Sequence, residues 1–145
     1  MKPNKSTRYA LYAALEMAAA GEAPVTAAHV AERYEIPPAV MAKVFQQMAR
    51  SGLAVGIRGV RGGYRLARSP AVITVLEVLD AFEPARLPGQ CLLAGPGSRE
   101  CREEHEVCRL RALFDEVDEM VRCTFASVSL ATLAGVRSAR VSRRA

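Results

Sequence analysis

A glycine-studded turn between two short apolar runs constrains this chain more than any other feature. Leu53-Ala-Val-Gly-Ile57 leads into Arg58-Gly-Val-Arg-Gly-Gly63, and Tyr64-Arg-Leu66 returns. Glycines at 59, 62 and 63 permit positive φ and close backbone approach. The stretch therefore predicts a β-hairpin, with Leu53, Val55 and Ile57 sharing one strand face and Tyr64 packing half-buried beneath it. Two short helical patterns precede it. Thr26 can cap the first, with Val30, Ala31 and Tyr34 facing in. Glu35–Pro37 makes a tight turn. Pro38 suits the first turn of the second helix, where Met41, Val44, Phe45 and Met48 face in and Gly52 is the stop.

Two short helices joined by a turn and followed by a hairpin outline a winged helix-turn-helix. The rest of the chain extends that outline. An opening helix is expected with Ser6 or Thr7 as N-cap, Leu11, Leu15 and Ala18 inward, and Gly21 as its end. Thr74 with Glu77 predicts a capping box for a helix from Val75 to Phe82. Pro84, Pro88, Gly89, Gly95, Pro96 and Gly97 mark a long loop, which in a compact domain is usually functional or disordered. A last long helix carries Leu110, Leu113, Phe114, Val117, Met120 and Val121 on one stripe. Its acids Asp115, Glu116, Asp118 and Glu119 lie opposite. The reading is mainly α with a small β-hairpin. A DNA-binding domain spans residues 1–83, a cysteine-bearing loop 84–108, a dimerisation helix and short segment 109–134, and a basic tail 135–145.

Charge points to the partner. The 145 residues carry a net charge of +5, but its placement says more than its total. From Ile36 to Leu76 there is no acid, while Lys43, Arg50, Arg58, Arg61, Arg65 and Arg68 all fall there. Residues 84–134 instead hold six Arg and eight acids, so the positive field belongs to the helix-turn-helix and wing. Such a span suits a polyanion. Pro38, Ala39, Ala42, Lys43, Gln46, Gln47 and Arg50 form the outward face of the second short helix. There Lys and Gln can bond base edges and the alanines permit close approach. Arg58, Arg61 and Arg65 are placed for phosphates or a minor groove. Thr26, and more weakly Thr7, could offer a phosphate contact. A two-fold dimer would read a pseudo-palindrome in double-stranded DNA. The long helix could equally pack on its own domain; its stripe is read as the dimer seam.

Chemistry concentrates in sulfur. Cys91, Cys101 and Cys108 lie within one loop region, spaced unlike zinc-finger ligands or ferredoxin ligands. Three thiols can hold an iron–sulfur cluster, bind zinc, or switch by disulfide formation. A cluster would need a fourth ligand, for which His105 is a weak candidate and Glu100, Glu103 and Glu104 weaker ones. Cys123 reads as a buried, inert thiol and His29 as structural. No apolar run reaches a membrane span, and Glu16 interrupts the only stretch resembling a leader. The chain reads as cytoplasmic and bacterial. Without a nucleophile–base pair or a phosphate loop, it is not expected to be an enzyme.

Ser6-Thr-Arg-Tyr-Ala10, Ile36-Pro-Pro through Phe45, the wing Arg58–Leu66 and the cysteine trio together resemble the IscR/NsrR/CymR family of bacterial winged-helix transcription regulators. The resemblance covers residues 1–134. It implies a homodimer, an iron–sulfur cluster of the 2Fe–2S type in several members (4Fe–4S in some), and control of cluster-assembly, nitric-oxide-response or cysteine-metabolism genes. Cys91, Cys101 and Cys108 match the family's three cysteine ligands. The gaps between them exceed the family's usual ones. Arg111 stands where the cluster-assembly regulators carry a ligand histidine, and Arg8 where the nitric-oxide sensors carry an aspartate. Ala42 aligns with the family's base-reading glutamate, which implies a different operator preference.

Overall fold

In the computed structural model, residues 3–83 and 109–135 are described. The elements run α1 (Lys5–Ala20), α2 (Ala27–Arg33), α3 (Pro38–Arg50), β1 (Ala54–Ile57), β2 (Gly63–Leu66), α4 (Val75–Phe82) and α5 (Arg109–Ser127). The expected helix-turn-helix is α2–α3, and the expected wing is the antiparallel pair β1–β2, with Ala54 opposite Leu66 and Ile57 opposite Gly63.

Local chemistry explains the junctions. The Thr26 side chain caps α2 by accepting from the His29 amide at 3.1 Å. The turn into α3 closes with two crossed bonds, Ile36 N to Ala31 O at 2.9 Å and Glu35 N to Glu32 O at 3.3 Å. This closure requires a left-handed residue, and Glu35 supplies it at φ 54° without being glycine. Ile36 then drops into the core. The same closure ends α3: Gly52 takes φ 73°, Leu53 N reaches Met48 O at 2.9 Å, and Leu53 is buried. Each turn thus delivers an apolar anchor to the interior.

The core gathers Ala10, Ala13, Ala14 and Met17 of α1 with Val30, Met41, Val44, Phe45, Met48, Ile73 and Val78. Phe45 is fully buried and meets the half-buried Tyr64 ring at 5.0 Å, which ties the wing to α3. Thr74 and Glu77 form the expected capping box on α4, with both reciprocal bonds present. Thr74→Ala should cost about 1 kcal/mol of stability, read as a lower urea midpoint; an unchanged midpoint would mean the box is dispensable.

Several expectations are corrected. Asn4, not Ser6 or Thr7, caps α1, accepting from Thr7 N at 2.8 Å. The α1 core stripe falls on Ala10, Ala13, Ala14 and Met17, while Leu11, Leu15 and Ala18 are only half-buried. Small alanines let α3 and α4 pack close against α1, and the leucines cover the flanks. Strand alternation also fails in β1: Leu53 and Ala54 are buried and Val55 is exposed. Only the Leu53–Ala54 end of the outgoing strand reaches the core, while the return strand is held to the body by reciprocal bonds between Tyr64 and Val25.

After α5 the chain returns to the domain. Val75 N bonds Val128 O and Leu130 N bonds Ile73 O, both at 2.9 Å, and Leu130 is fully buried. Arg122 forms a bidentate pair with Asp80 of α4 at 2.9 and 3.1 Å, and this pairing raises the Arg122 pKa. No described helix is long and apolar enough to cross a membrane.

Candidate nucleic-acid interface

The exposed face of α3 carries Pro38, Ala39, Val40, Lys43, Gln46 and Arg50, with Ala42 half-buried beside them. The inward set is Met41, Val44, Phe45 and Met48. Burial of every third or fourth residue leaves the alternate positions facing outward. Gln47 departs from this face. It is half-buried, and its Nε2 donates to Ala81 O at 3.3 Å, anchoring α3 to α4. Thr26 and His29 are exposed at the start of α2.

The basic span divides in two. Lys43, Arg50, Arg58 and Arg61 are exposed and form no ion pair with an acid among the described residues. Arg65 pairs with Glu22 at 3.2 Å, and Arg68 pairs with Glu77. Both partners lie outside the acid-free span, so counting charges along the sequence could not find them. Partial burial pushes the Glu77 carboxyl up, but bonds from Arg68 and the Thr74 amide outweigh it and the pKa is lowered. Four cations therefore remain open to an anion, on α3 and the wing turn.

Besides Val55 of β1, two exposed apolar side chains share these elements, Val40 on α3 and Val60 at the wing tip. Neither was among the expected contacts. The absence of Val40 from the inward stripe of α3 was the available signal. No sequence signal marked Val60 apart from its place between arginines.

The Rrf2 family, described as an iron-dependent transcriptional regulator, matches residues 4–135. The chain belongs to the Rrf2 family. BadM of Rhodopseudomonas palustris, an HTH-type transcriptional regulator by assignment, is 36% identical over 133 residues, covering 92% of this chain and 81% of that protein. IscR of Xenorhabdus nematophila is 30% identical over 134 residues, covering 92% and 79%. Among solved structures, CymR, the global cysteine regulator of B. subtilis, superposes with a TM-score of 0.76 at 25% identity, covering 94% of this chain and 98% of that one. IscR of T. potens shares the fold, with a TM-score of 0.74 at 22% identity, covering 94% and 88%. This Rrf2 chain is a helix-turn-helix transcription regulator, and its relatives are regulators rather than enzymes.

Other expected site residues lie elsewhere. Cys91, Cys101, Cys108, His105, Glu100, Glu103 and Glu104 lie outside the described residues, as do residues 136–145 of the basic tail. Among the described residues no cluster of three or more His, Cys, Asp or Glu could hold a metal ion. Cys123 is exposed on α5, correcting the buried thiol expected from its place beside the apolar stripe. Its Sγ lies 3.6 Å from Glu119 Oε1. It also stands about 21 Å along α5 from Arg109, the residue bonded to Cys108.

The end of α4 is clasped to the start of α1. Glu83 Oε1 accepts from the Thr7 hydroxyl at 2.5 Å and the Asn4 amide at 3.0 Å, and Asn4 Nδ2 donates to Phe82 O at 3.1 Å. The Thr7 bond, then the Asn4 bond, hold the Glu83 pKa low. Thr7 is fully buried in this clasp, so it offers nothing to a phosphate. Glu83 directly precedes the segment that carries Cys91, Cys101 and Cys108.

Proposed function

We propose that this regulator is a homodimer that reads a pseudo-palindromic duplex through α3 and the wing, and holds an iron–sulfur cluster on Cys91, Cys101 and Cys108. The observation that carries the DNA half is the set of four exposed cations without acid partners among the described residues, Lys43, Arg50, Arg58 and Arg61. Lys43 and Gln46 meet base edges, Ala39, Val40 and Ala42 lie against thymine methyls, and the wing arginines meet the backbone or minor groove. Pro38 opens the reading helix, and Thr26 stands at the start of its neighbour. Gln47 and Arg65 act from behind, each already bonded within the protein. A protein working on chromosomal DNA acts in the bacterial cytoplasm.

The dimer half is supported by α5. Leu113, Phe114, Val117 and Met120 are exposed on this one helix, with Val121 half-buried beside them. They make a stripe that a second copy would cover, and Leu110 falls in register with it by sequence.

For the cluster, donor chemistry is the test. Thiolates are soft ligands suited to iron–sulfur clusters or zinc. When bound, such a group supplies redox and ligand-exchange chemistry, and it would be held by the three cysteines with the fourth position open, His105 being the weak candidate. The segment begins one bond after Glu83. A change there would pull first on the Glu83–Thr7–Asn4 clasp and so on α1, which packs on both α3 and β2. Operator affinity would shift by whatever free energy separates the two arrangements.

The likeness to the cysteine regulator CymR supports a second reading, in which the same thiols bind zinc or switch as a disulfide. Iron and acid-labile sulfide in oxygen-free protein would favour the cluster; a colourless protein with zinc or bare thiols would favour the switch. For the DNA half, Lys43→Ala should weaken operator binding by about 1–3 kcal/mol, and Arg58→Ala should flatten the salt dependence by about one counterion. Titrations at several salt concentrations check both. Unaltered affinity and slope would remove α3 and the wing from the interface.

A further inference from the structure

Val60 is fully exposed, at 108% of its reference area, at the tip of the wing. A lone exposed apolar side chain is ordinary on protein surfaces. Two features set this one apart. The first is its frame. Gly59 sits at φ 122°, and Gly62 N bonds Gly59 O at 3.0 Å. A Cβ at Gly62 would lie 2.4 Å from Ile57 O, so only glycine fits. The return strand is stapled to Val25 just past the turn by reciprocal bonds with Tyr64, each 2.8 Å. The chain thus holds a valine out into solvent on a built turn. The second feature is its neighbours, because Arg58 and Arg61 flank it without an acid partner among the described residues.

We propose that Val60 is a specificity-determining residue that reads the minor groove of the operator, selecting A·T pairs because its methyls cannot satisfy the guanine 2-amino group. The inference rests on the DNA-binding reading above. The minor groove distinguishes A·T from G·C chiefly by that amino donor. Two arginines on the phosphate-lined rims would seat a short tip between them in a groove about 6 Å wide. An apolar group on the floor leaves the amino group buried without an acceptor, which is costly. A narrow A·T groove further favours the arginines.

The test uses the full chain, purified without oxygen, and duplexes recovered by it from a random pool. Each A·T pair flanking the half-sites is replaced by G·C or by inosine·C, which keeps the G·C major-groove edge but lacks the 2-amino group. At the positions under the wing, G·C should weaken binding about tenfold, and inosine·C should restore it to within about twofold. Val60→Asn, whose amide oxygen can accept from the amino group, should bind G·C and A·T operators about equally; because Val60 touches no core, its melting temperature should match the parent. Inosine·C behaving like G·C, or Val60→Asn keeping the parental preference, overturns the assignment and leaves DNA binding standing. Failure to recover any duplex overturns both.

Discussion

Replacing Cys91, Cys101 or Cys108 by Ala is expected to strip iron and acid-labile sulfide from protein purified without air and to bleach its visible absorbance. Cys123→Ala is expected to keep both. The contrast is all-or-none because a cluster held by three thiolates and one further ligand cannot spare a thiolate. It follows from position as well as number: the α5 rod sets Cys123 about 21 Å from the residue that follows Cys108, too far to share a cluster with it in one chain. Bleaching by Cys123→Ala instead would sink the ligand assignment. Retention of iron and sulfide by all four variants would take the cluster off these cysteines.

Phe45→Ala is expected to destabilise the fold by about 3–5 kcal/mol, the usual result of emptying a fully buried aromatic site, read by urea denaturation. It should also weaken DNA binding in the fraction that remains folded. Phe45 joins α3, which it belongs to, to Tyr64 of the wing at 5.0 Å, so its loss frees from a common brace both elements proposed to face DNA. Phe45→Leu should recover most of the stability and less of the affinity, because it refills volume without the ring contact. A loss below about 1 kcal/mol in Phe45→Ala would place the residue outside the core.

The helix-turn-helix and wing were legible because their signals are local. The Thr26 cap, Pro38 at the first turn of α3, the capping box of Thr74 and Glu77, and the wing glycines each act within a few residues, and each appears where the pattern put it. The inward set of α3 was legible for the same reason, since 3.6-residue periodicity marks one buried stripe. What failed depended on neighbours distant in the chain. Leucines were expected to lead the α1 core, yet alanines do, because close approach to α3 and α4 rewards small side chains. Alternation failed in β1 because only its Ala54 end, next to the buried Leu53, reaches the core. Thr7 looked like a surface cap and is instead buried against Glu83, 76 residues away.

By itself the sequence determined the order of elements, the acid-free basic span and the trio of soft donors, because caps, periodicity and side-chain chemistry need no partner in space. Only the tertiary structure decided which cations stay free. Glu22 and Glu77 reach in from outside the basic span to occupy Arg65 and Arg68, while Lys43, Arg50, Arg58 and Arg61 meet no acid among the described residues. It also decided that Gln47 braces α3 against α4, that Cys123 faces outward, that Leu130 returns to seal the core, and that Val60 stands clear at the wing tip. Pairing, exposure and closure are distances between residues far apart in the chain, and only folding sets them.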